Sequence, residues 1–251
     1  MEIFLLILII VILSIVQSIL GIGLLLFGTP SLLLLGHNFI DSLIILLPPS
    51  IIISLLQIIN NKETETLEIS AFKRKFNFYC IPFLLIGLLV VKLFVESINF
   101  TFLIGTILII ISVVRSHTTA NYKFSNFLYK NNRLGNIFIG ITHGLTNMGG
   151  SFLSVLSAST FPNNKALIRY AVAYCYFIMG IVQFLFIAFL FPIQLSYTNI
   201  LYVFLSALVF SVFGEKLFAS IQNYQYQKLI TILIFFYGIL LLINPLIIKT
   251  I

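Results

Sequence analysis

A polar, glycine-rich segment interrupts an otherwise continuous run of apolar sequence. Residues 141–150 read Ile-Thr-His-Gly-Leu-Thr-Asn-Met-Gly-Gly, and a weaker copy, Gln-Ser-Ile-Leu-Gly-Ile-Gly, occupies residues 17–23. An unpaired backbone group in hydrocarbon is costly, so a membrane helix breaks only where the break is buried in protein or lines a cavity. Paired interruptions in the two halves of a chain are typical of a transporter's substrate site.

The composition indicates an integral membrane protein. Hydrophobic residues make up 60% of the chain and charged residues only 8%, and the mean hydropathy is +1.15. A membrane helix needs about 20 mainly apolar residues, and the chain contains several such stretches. The longest polar connections, residues 60–75 and 115–133, leave no room for a soluble domain. We therefore predict one transmembrane domain over residues 1–251.

The charges and cysteines exclude other classes of function. A net charge of +7 in such a chain marks cytoplasmic loops and does not indicate nucleic-acid binding. Cys80 and Cys175 stand in apolar surroundings without the spacing of metal ligands, so neither a metal nor a cofactor is predicted. The apolar spans contain one histidine and no cluster of acidic residues, which argues against an intramembrane enzyme.

Ten apolar segments divide into two sets of five. Residues 24–35 and 151–161 are too short to cross a membrane, and each follows a glycine-containing break. The fold class we predict is an all-α integral membrane protein with two inverted repeats, each a broken, re-entrant-like helix pair plus three transmembrane helices. Repeat one is residues 1–115, repeat two is residues 134–251, and residues 116–133 form a cytoplasmic linker.

The basic residues favour hairpins over single crossings. If each broken pair enters and leaves on one side, twelve of the 14 basic residues lie in predicted cytoplasmic loops, as the positive-inside rule requires. If each pair crossed once, the split would be eight against six. Both termini are then predicted outside the cell membrane. An offset of 126 residues aligns the halves and pairs Gln17 with His143, Gly21 with Asn147, Gly23 with Gly149, and Gln57 with Gln183.

At these motifs the chain resembles the sulfite exporter family named for TauE and SafE. The first motif reads Gly21-Ile-Gly23, followed by Pro30 and the leucine run of residues 32–36. The second reads His143-Gly-Leu-Thr-Asn-Met-Gly-Gly150 and is the more specific of the two. The resemblance covers essentially the whole chain. It implies transport of a small anion, such as sulfite, sulfoacetate or a related organosulfonate or carboxylate, and the predicted inverted repeat is the architecture that alternating-access transporters use.

The breaks supply groups that suit an anion. Half-helix N-termini present free backbone N–H groups and a positive dipole end, and neutral side chains there can donate hydrogen bonds. The predicted substrate-binding residues are Gln17, Ser18, Gly21, Gly23, Ser50, His143, Gly144, Thr146, Asn147, Gly149, Gly150 and Ser151. Residues that could line the path are Gln57, Arg169, Tyr174 and Gln183. The predicted partners are the anion and the lipid bilayer; the oligomeric state stays open, a homodimer included.

Several of these residues have a second interpretation. His143 either contacts the anion, with or without titrating, or caps a broken helix. The glycines either shape a pocket or let helices approach closely. Arg169 either attracts anions or extends to lipid phosphate, and Gln57 and Gln183 either line a pore or join helices. For the whole chain, the alternative to a transporter is a membrane protein that only binds partners.

Overall fold

The computed structural model describes residues 2–61, 66–192 and 196–248, and the regular structure of this part is entirely helical. Five of its helices are long and apolar enough to cross a membrane, or six if α5 and α6, which meet at an angle of 106°, count as one span. The all-α integral membrane class is therefore confirmed. The helices are α1 (Glu2–Leu20), α2 (Leu24–Leu34), α3 (Phe39–Asn60), α4 (Leu67–Phe94), α5 (Phe100–Ser116), α6 (Thr118–Lys130), α7 (Asn132–Thr146), α8 (Gly149–Thr160), α9 (Lys165–Leu190), α10 (Tyr197–Val209), α11 (Glu215–Ser220) and α12 (Asn223–Ile248), with a π-helical turn (Phe210–Gly214) joining α10 to α11.

One predicted feature differs from the structure, and others lie outside the described residues. Most of the linker at residues 116–133 is the helix α6, which packs against α5, α7 and α8. The predicted outside positions of the two termini, and residues 62–65 of the predicted cytoplasmic loop, lie outside the described residues.

The second break is much shorter than the sequence suggests. The helix α7 continues to Thr146 and α8 begins at Gly149, so only Asn147 and Met148 of the polar ten-residue segment are non-helical. Asn147 adopts a left-handed conformation with φ of 65°, which asparagine tolerates better than most residues. One such residue is enough to reverse the chain. In the first break the left-handed position belongs to Gly21, with φ of +74°.

The two broken pairs begin at opposite ends of the helix bundle. One cavity of about 570 Å³ is lined by Leu6 near the start of α1, Asp41 of α3 and Asn199 of α10. Another, of about 590 Å³, is lined by Arg115 at the end of α5, by the last turns of α8 and by Lys228 of α12. Since α2 leads into α3 and α7 follows α5 and α6, each pair enters and leaves at one end. An inverted repeat requires this arrangement; the equivalence of the halves stays a prediction.

Corresponding contacts between helices recur at the predicted offset of 126 residues. The hydroxyls of Ser14 in α1 and Ser206 in α10 lie 2.8 Å apart. At the aligned positions, Gly140 of α7 lies so close to α4 that an added Cβ would be 2.3 Å from the carbonyl oxygen of Cys80. Each crossing joins one half of the chain to the other, and the two crossings use the same pair of aligned positions.

Beyond the π-helical turn the offset becomes 127. Gly87 lies against Gly144, with an added Cβ 3.0 Å from the Gly144 Cα, and Gly214 lies against Ser18, with an added Cβ 3.2 Å from the Ser18 Cβ. A π-helical turn accommodates one extra residue in an α-helix. The turn Phe210–Gly214 therefore explains why the offset shifts by one.

We expect Gly144→Ala to destabilise the protein through the contact between α7 and α4. An added Cβ would lie 2.2 Å from the carbonyl oxygen of Leu84, and backbone cannot move aside as a flexible side chain can. Overpacking of this kind costs about 1–3 kcal/mol. The matched control is Gly135→Ala in the same helix, whose Cβ would have its three nearest neighbours in Leu128, at 3.3 Å or more. Thermal unfolding in detergent measures both; equal melting temperatures would contradict the contact.

Candidate functional site

The first break is closed by the side chain of Gln17. Its Oε1 accepts a hydrogen bond from the backbone N–H of Leu24 at 3.0 Å and therefore caps the N-terminus of α2. Its Nε2 donates to the carbonyl and hydroxyl oxygens of Ser50, each at 3.0 Å, and to the Ser54 hydroxyl at 3.1 Å. Gln17 and Ser50, both predicted to bind substrate, thus use their polar groups to hold the break together.

Side chains of α3 and α9 donate hydrogen bonds to the backbone carbonyl groups at the end of α1. Gln57 donates from Nε2 to the carbonyl oxygens of Gln17 and Ser18 at 2.8 and 3.0 Å, and Arg169 donates to the Ser18 carbonyl at 3.1 Å. For Gln57 the structure therefore favours the interpretation in which it joins helices. The carbonyl groups that a helix end exposes are paired here by side chains.

Arg169 forms an internal ion pair. Its side chain is 1% exposed, and one guanidinium nitrogen donates to both carboxylate oxygens of Glu215, at 2.7 and 2.8 Å. The guanidinium also lies 3.6 Å from the centre of the Phe218 ring. The sequence suggested that Arg169 attracts anions or reaches lipid phosphate; in the structure its side chain is buried and paired with Glu215. Arg169 instead connects the first break to α11.

At the second break the aligned positions hold different side chains. His143 takes the place of Gln17, Tyr176 that of Ser50, Gln183 that of Gln57 and Gly150 that of Leu24. The rings of His143 and Tyr176 are 5.9 Å apart between centroids. A Cβ added at Gly150 would lie 1.6 Å from the Tyr176 hydroxyl oxygen, so this hydroxyl lies against the first turn of α8. We call His143, Gly150, Tyr176 and Gln183 the α8 cluster.

The polar groups of the α8 cluster are buried and unsatisfied. Both nitrogens of the His143 ring, the Tyr176 hydroxyl and both polar atoms of the Gln183 amide lack a hydrogen-bond partner in the described structure. Gln183 is close enough to His143 to interact with it, but not in hydrogen-bonding geometry. Leaving such groups unpaired costs about 1–3 kcal/mol each. The cluster is therefore the place where a polar ligand gains most by binding.

Other predicted donors are committed to the backbone. The hydroxyls of Ser18, Thr146 and Ser151 donate to the carbonyl oxygens of Ser14, Thr142 and Met148, at 2.7, 2.7 and 2.6 Å. Serine and threonine commonly bond backward along a helix in this way. The expectation that these hydroxyls donate to a ligand does not match their geometry.

Asn147 joins the second break to α2. Its amide donates to the Thr29 hydroxyl at 2.8 Å and to the Leu25 carbonyl at 3.4 Å, so this donor, too, is occupied. Its Oδ1 has no partner. Gly144, expected near the ligand, instead packs against α4, which is the alternative that the sequence left open.

Both breaks pack on neighbouring turns of α9. A Cβ added at Gly21 would lie 3.3 Å from Val172, whereas Gly150 faces Tyr176, one turn further along α9. At the reversals themselves, a Cβ at Gly23 would lie 2.6 Å from the Gln17 nitrogen and one at Gly149 2.5 Å from the His143 Cβ. These two glycines permit each helix pair to fold back closely, and the breaks lie at one level of the bundle.

The family model described as Sulfite exporter TauE/SafE matches residues 6–241 of the 251-residue chain. The chain belongs to this family. No curated protein and no solved structure matches it. This sulfite exporter family member is a multi-pass membrane protein of the transporter class, because its family is one of transporters and several of its described helices are long and apolar enough to cross a membrane.

The sequence predicted that Tyr174 lines the path, but in this family member Tyr174 lies away from the breaks. Tyr174 accepts a hydrogen bond from Asn77 at 2.7 Å, and Lys73 lies 4.6 Å from the centre of its ring, so it belongs to the contact between α4 and α9. The sequence analysis did not identify Tyr176 as a residue of the candidate site. Tyr176 stands 126 residues after Ser50, and this offset is the signal that identifies it.

We expect Glu215→Gln to lower the stability of this TauE/SafE protein. The substitution leaves the buried charge of Arg169 without its carboxylate, and breaking a buried pair is strongly destabilising. Glu215 is 44% exposed, so solvent screening reduces the cost to about 1–2 kcal/mol. The control is Glu96→Gln, at an exposed acid between α4 and α5. If both variants melt with the parent in a thermal unfolding assay, the ion pair contributes nothing measurable.

Proposed function

We propose that this TauE/SafE family member is a secondary transporter of small anions, such as sulfite, sulfoacetate and related organosulfonates or carboxylates. It carries them across the cell membrane by alternating access. The α8 cluster supports this function best, because its buried side-chain donors beside a helix N-terminus lack partners, whereas the aligned donors of the first break, on Gln17, Ser50 and Gln57, are paired and only the Gln57 Oε1 acceptor there is not. Family membership supports the transporter class.

The first break indicates how a ligand oxygen binds at the second. Gln17 Oε1 accepts the hydrogen bond from the N–H of Leu24. The aligned N–H belongs to Gly150, and His143, which aligns with Gln17, accepts nothing from it. Gly149 and Gly150 stand in the first turn of α8, where N–H groups have no acceptor within the helix. An anion oxygen can take the place that Gln17 Oε1 fills in the first half.

The side chains of the α8 cluster supply neutral donors for the remaining oxygens. The Tyr176 hydroxyl, the Gln183 amide and a ring N–H of His143 can each donate a hydrogen bond. A lysine at this depth would cost about 2.5 kcal/mol or more to bury when no anion is bound. Neutral donors and helix-end N–H groups avoid that cost, which suits a carrier that also moves unloaded or exchanges ligands.

Access to the cluster requires a change of conformation. His143, Tyr176 and Gln183 are each 0% exposed, and none of them lines either of the cavities at the two ends of the bundle. This arrangement fits an occluded state between two open ones, as alternating access requires.

We expect His143→Gln to close the site without unfolding the protein. A glutamine at residue 143 can accept from the Gly150 N–H as Gln17 does from Leu24, and a satisfied helix cap adds about 0.5–2 kcal/mol of stability. In proteoliposomes the parent should transport radiolabelled sulfite or sulfoacetate, and the variant should lose at least nine-tenths of that rate while melting at or above the parent's temperature.

The matched control is His117→Gln, at an exposed histidine between α5 and α6, which should transport normally. Unchanged transport by His143→Gln would contradict the assignment of the α8 cluster. A parent protein that moves none of these anions, and is stabilised by none of them in a thermal-shift screen, would contradict the proposed substrate class.

We expect the ends of the bundle to face opposite sides of the cell membrane, with both termini outside. Membrane-impermeant maleimide should label Asp41→Cys in intact cells, whereas Ser125→Cys and Gln222→Cys should react only after permeabilisation. The native Cys80 and Cys175 are buried, which keeps the background low. Labelling of the cysteines at 125 and 222 in intact cells would refute the orientation.

A further inference from the structure

The α8 cluster contains hydrogen-bond acceptors as well as donors. The Gln183 amide has an oxygen that accepts and a nitrogen that donates, and a neutral imidazole such as that of His143 has one nitrogen of each kind. All four atoms are buried without a hydrogen-bond partner in the described structure, as is the Tyr176 hydroxyl. A ligand that only accepts hydrogen bonds would therefore leave the Gln183 oxygen and one His143 nitrogen unpaired.

His143 keeps this acceptor because its ring is neutral. The side chain is 0% exposed, and no carboxylate of the described residues bonds to either ring nitrogen. An imidazolium here would be a buried charge without a partner, which is far more costly than the neutral ring. The cluster thus combines donors and acceptors and carries no formal charge of its own.

Positive charge near the α8 cluster is small. The helix α8 has no charged residue, and a helix N-terminus is equivalent to only about half a unit of positive charge. On α7 and α9 the nearest charged side chains are Arg133 and Arg169, which are about 15 and 10 Å along the helices from His143 and Tyr176. Arg169 is, moreover, paired with Glu215. A second negative charge on the ligand would find no counter-charge on these helices.

The first break shows what kind of group fills this space. The oxygen of the Gln17 amide accepts hydrogen bonds from the Leu24 N–H and the Ser50 hydroxyl, and its nitrogen donates to the hydroxyls of Ser50 and Ser54 in α3. The group that closes the first break therefore accepts from the capped helix and donates to the helix beside it. At the offset of 126, the helix that corresponds to α3 is α9, which carries Gln183.

The acceptors lie to one side of the helix N-terminus that binds the anion. Gly150 lies against the Tyr176 hydroxyl, whereas Gln183 is seven residues further along α9, or about 10 Å. The ring of His143 lies 5.9 Å from that of Tyr176 and is close enough to Gln183 to interact with it. A ligand that meets both regions needs its donor a few bonds away from its anionic group.

We infer that the α8 cluster selects a singly charged anion that also carries a hydrogen-bond donor. An anionic oxygen binds the N-terminus of α8 beside Tyr176, and a hydroxyl group of the same molecule donates to Gln183 or His143. The inference rests on the proposed transport function and narrows its substrate class. Hydroxyalkylsulfonates fit this description, and hydrogensulfite fits it better than the doubly charged sulfite and sulfoacetate ions.

The first test separates the effect of charge from that of the donor. Hydroxyethanesulfonate has one charge and a hydroxyl, propanesulfonate has a methyl group in place of the hydroxyl, and sulfoacetate has two charges and no donor. A site that bonds a ligand hydroxyl rejects an analogue without it, because its own buried groups stay unpaired, so the last two should bind at least about tenfold more weakly. Thermal-shift titration of the purified protein and competition for uptake in proteoliposomes measure the affinities.

Equal or tighter binding of propanesulfonate or sulfoacetate would overturn the inference. If the protein transports sulfoacetate at least as well as hydroxyethanesulfonate, the proposed transport function stands and only the inference is wrong. If it binds and transports neither these sulfonates nor sulfite, the proposed transport function is wrong and the inference with it.

The second test assigns the donor end of the ligand to Gln183. Gln183→Leu removes the acceptor, so the affinity ratio of hydroxyethanesulfonate to propanesulfonate should fall from about tenfold or more to near one. Tyr176→Phe removes a donor to the anionic group, which the two ligands share, and should weaken both equally. The control Gln222→Leu changes an exposed glutamine outside the cluster and should alter neither affinity.

The ratio is measured on folded protein that binds both ligands, so a moderate loss of stability does not affect it. If Gln183→Leu fails to fold, Gln183→Met, which keeps the length of the side chain without its polar atoms, decides the same question. A ratio that stays at the parent value in these Gln183 variants would overturn the inference.

Discussion

The pairing of backbone groups where helices break inside the bundle is the constraint on which the rest of the structure depends. A broken helix leaves N–H and carbonyl groups that must find partners away from water. At the first break Gln17 of α1 caps α2, and two other helices supply the remaining partners: Gln57 of α3 donates to the carbonyl groups at the end of α1, and Arg169 of α9 adds a charged donor. The positions of α3 and α9 beside this break follow from those hydrogen bonds.

The second break has the same backbone geometry as the first but lacks hydrogen-bond partners for its side chains. It also has one left-handed residue, a close reversal of the chain, and α9 packed beside it. However, His143, Tyr176 and Gln183 form no hydrogen bonds with one another. Unpaired groups at this depth make the unliganded cluster less stable than its counterpart by about 1–3 kcal/mol for each group. That difference is available to a polar ligand, which is why the proposed transport site lies at the second break, whereas the first break is closed by its own side chains.

Sequence reasoning reached the class of fold and the location of the breaks, because apolar run length and clustered glycine have direct physical consequences in a membrane. It overestimated the length of the second break, since one left-handed asparagine at Asn147 suffices to turn the chain. It also could not tell which glycine serves which purpose. Gly144 and Gly150 are close in sequence, but Gly144 meets the backbone of α4 and Gly150 meets the Tyr176 hydroxyl. The sequence does not show which neighbour each glycine faces, and that neighbour decides whether the glycine packs against a helix or lines the candidate site.

The partner of Arg169 was equally inaccessible, because Glu215 lies in a different helix 46 residues away. That ion pair bears on how the site opens. Arg169 ties α9 to the end of α1 and to α11 by hydrogen bonds and charge, and α7 is packed backbone to backbone against α4. By contrast, the contacts described between α8 and α9 at the cluster involve no hydrogen bond. Segments with few such bonds open at the lowest free energy, so the contact between α8 and α9 at the cluster depends on packing alone, whereas Arg115 of α5 bonds Ser154 further along α8.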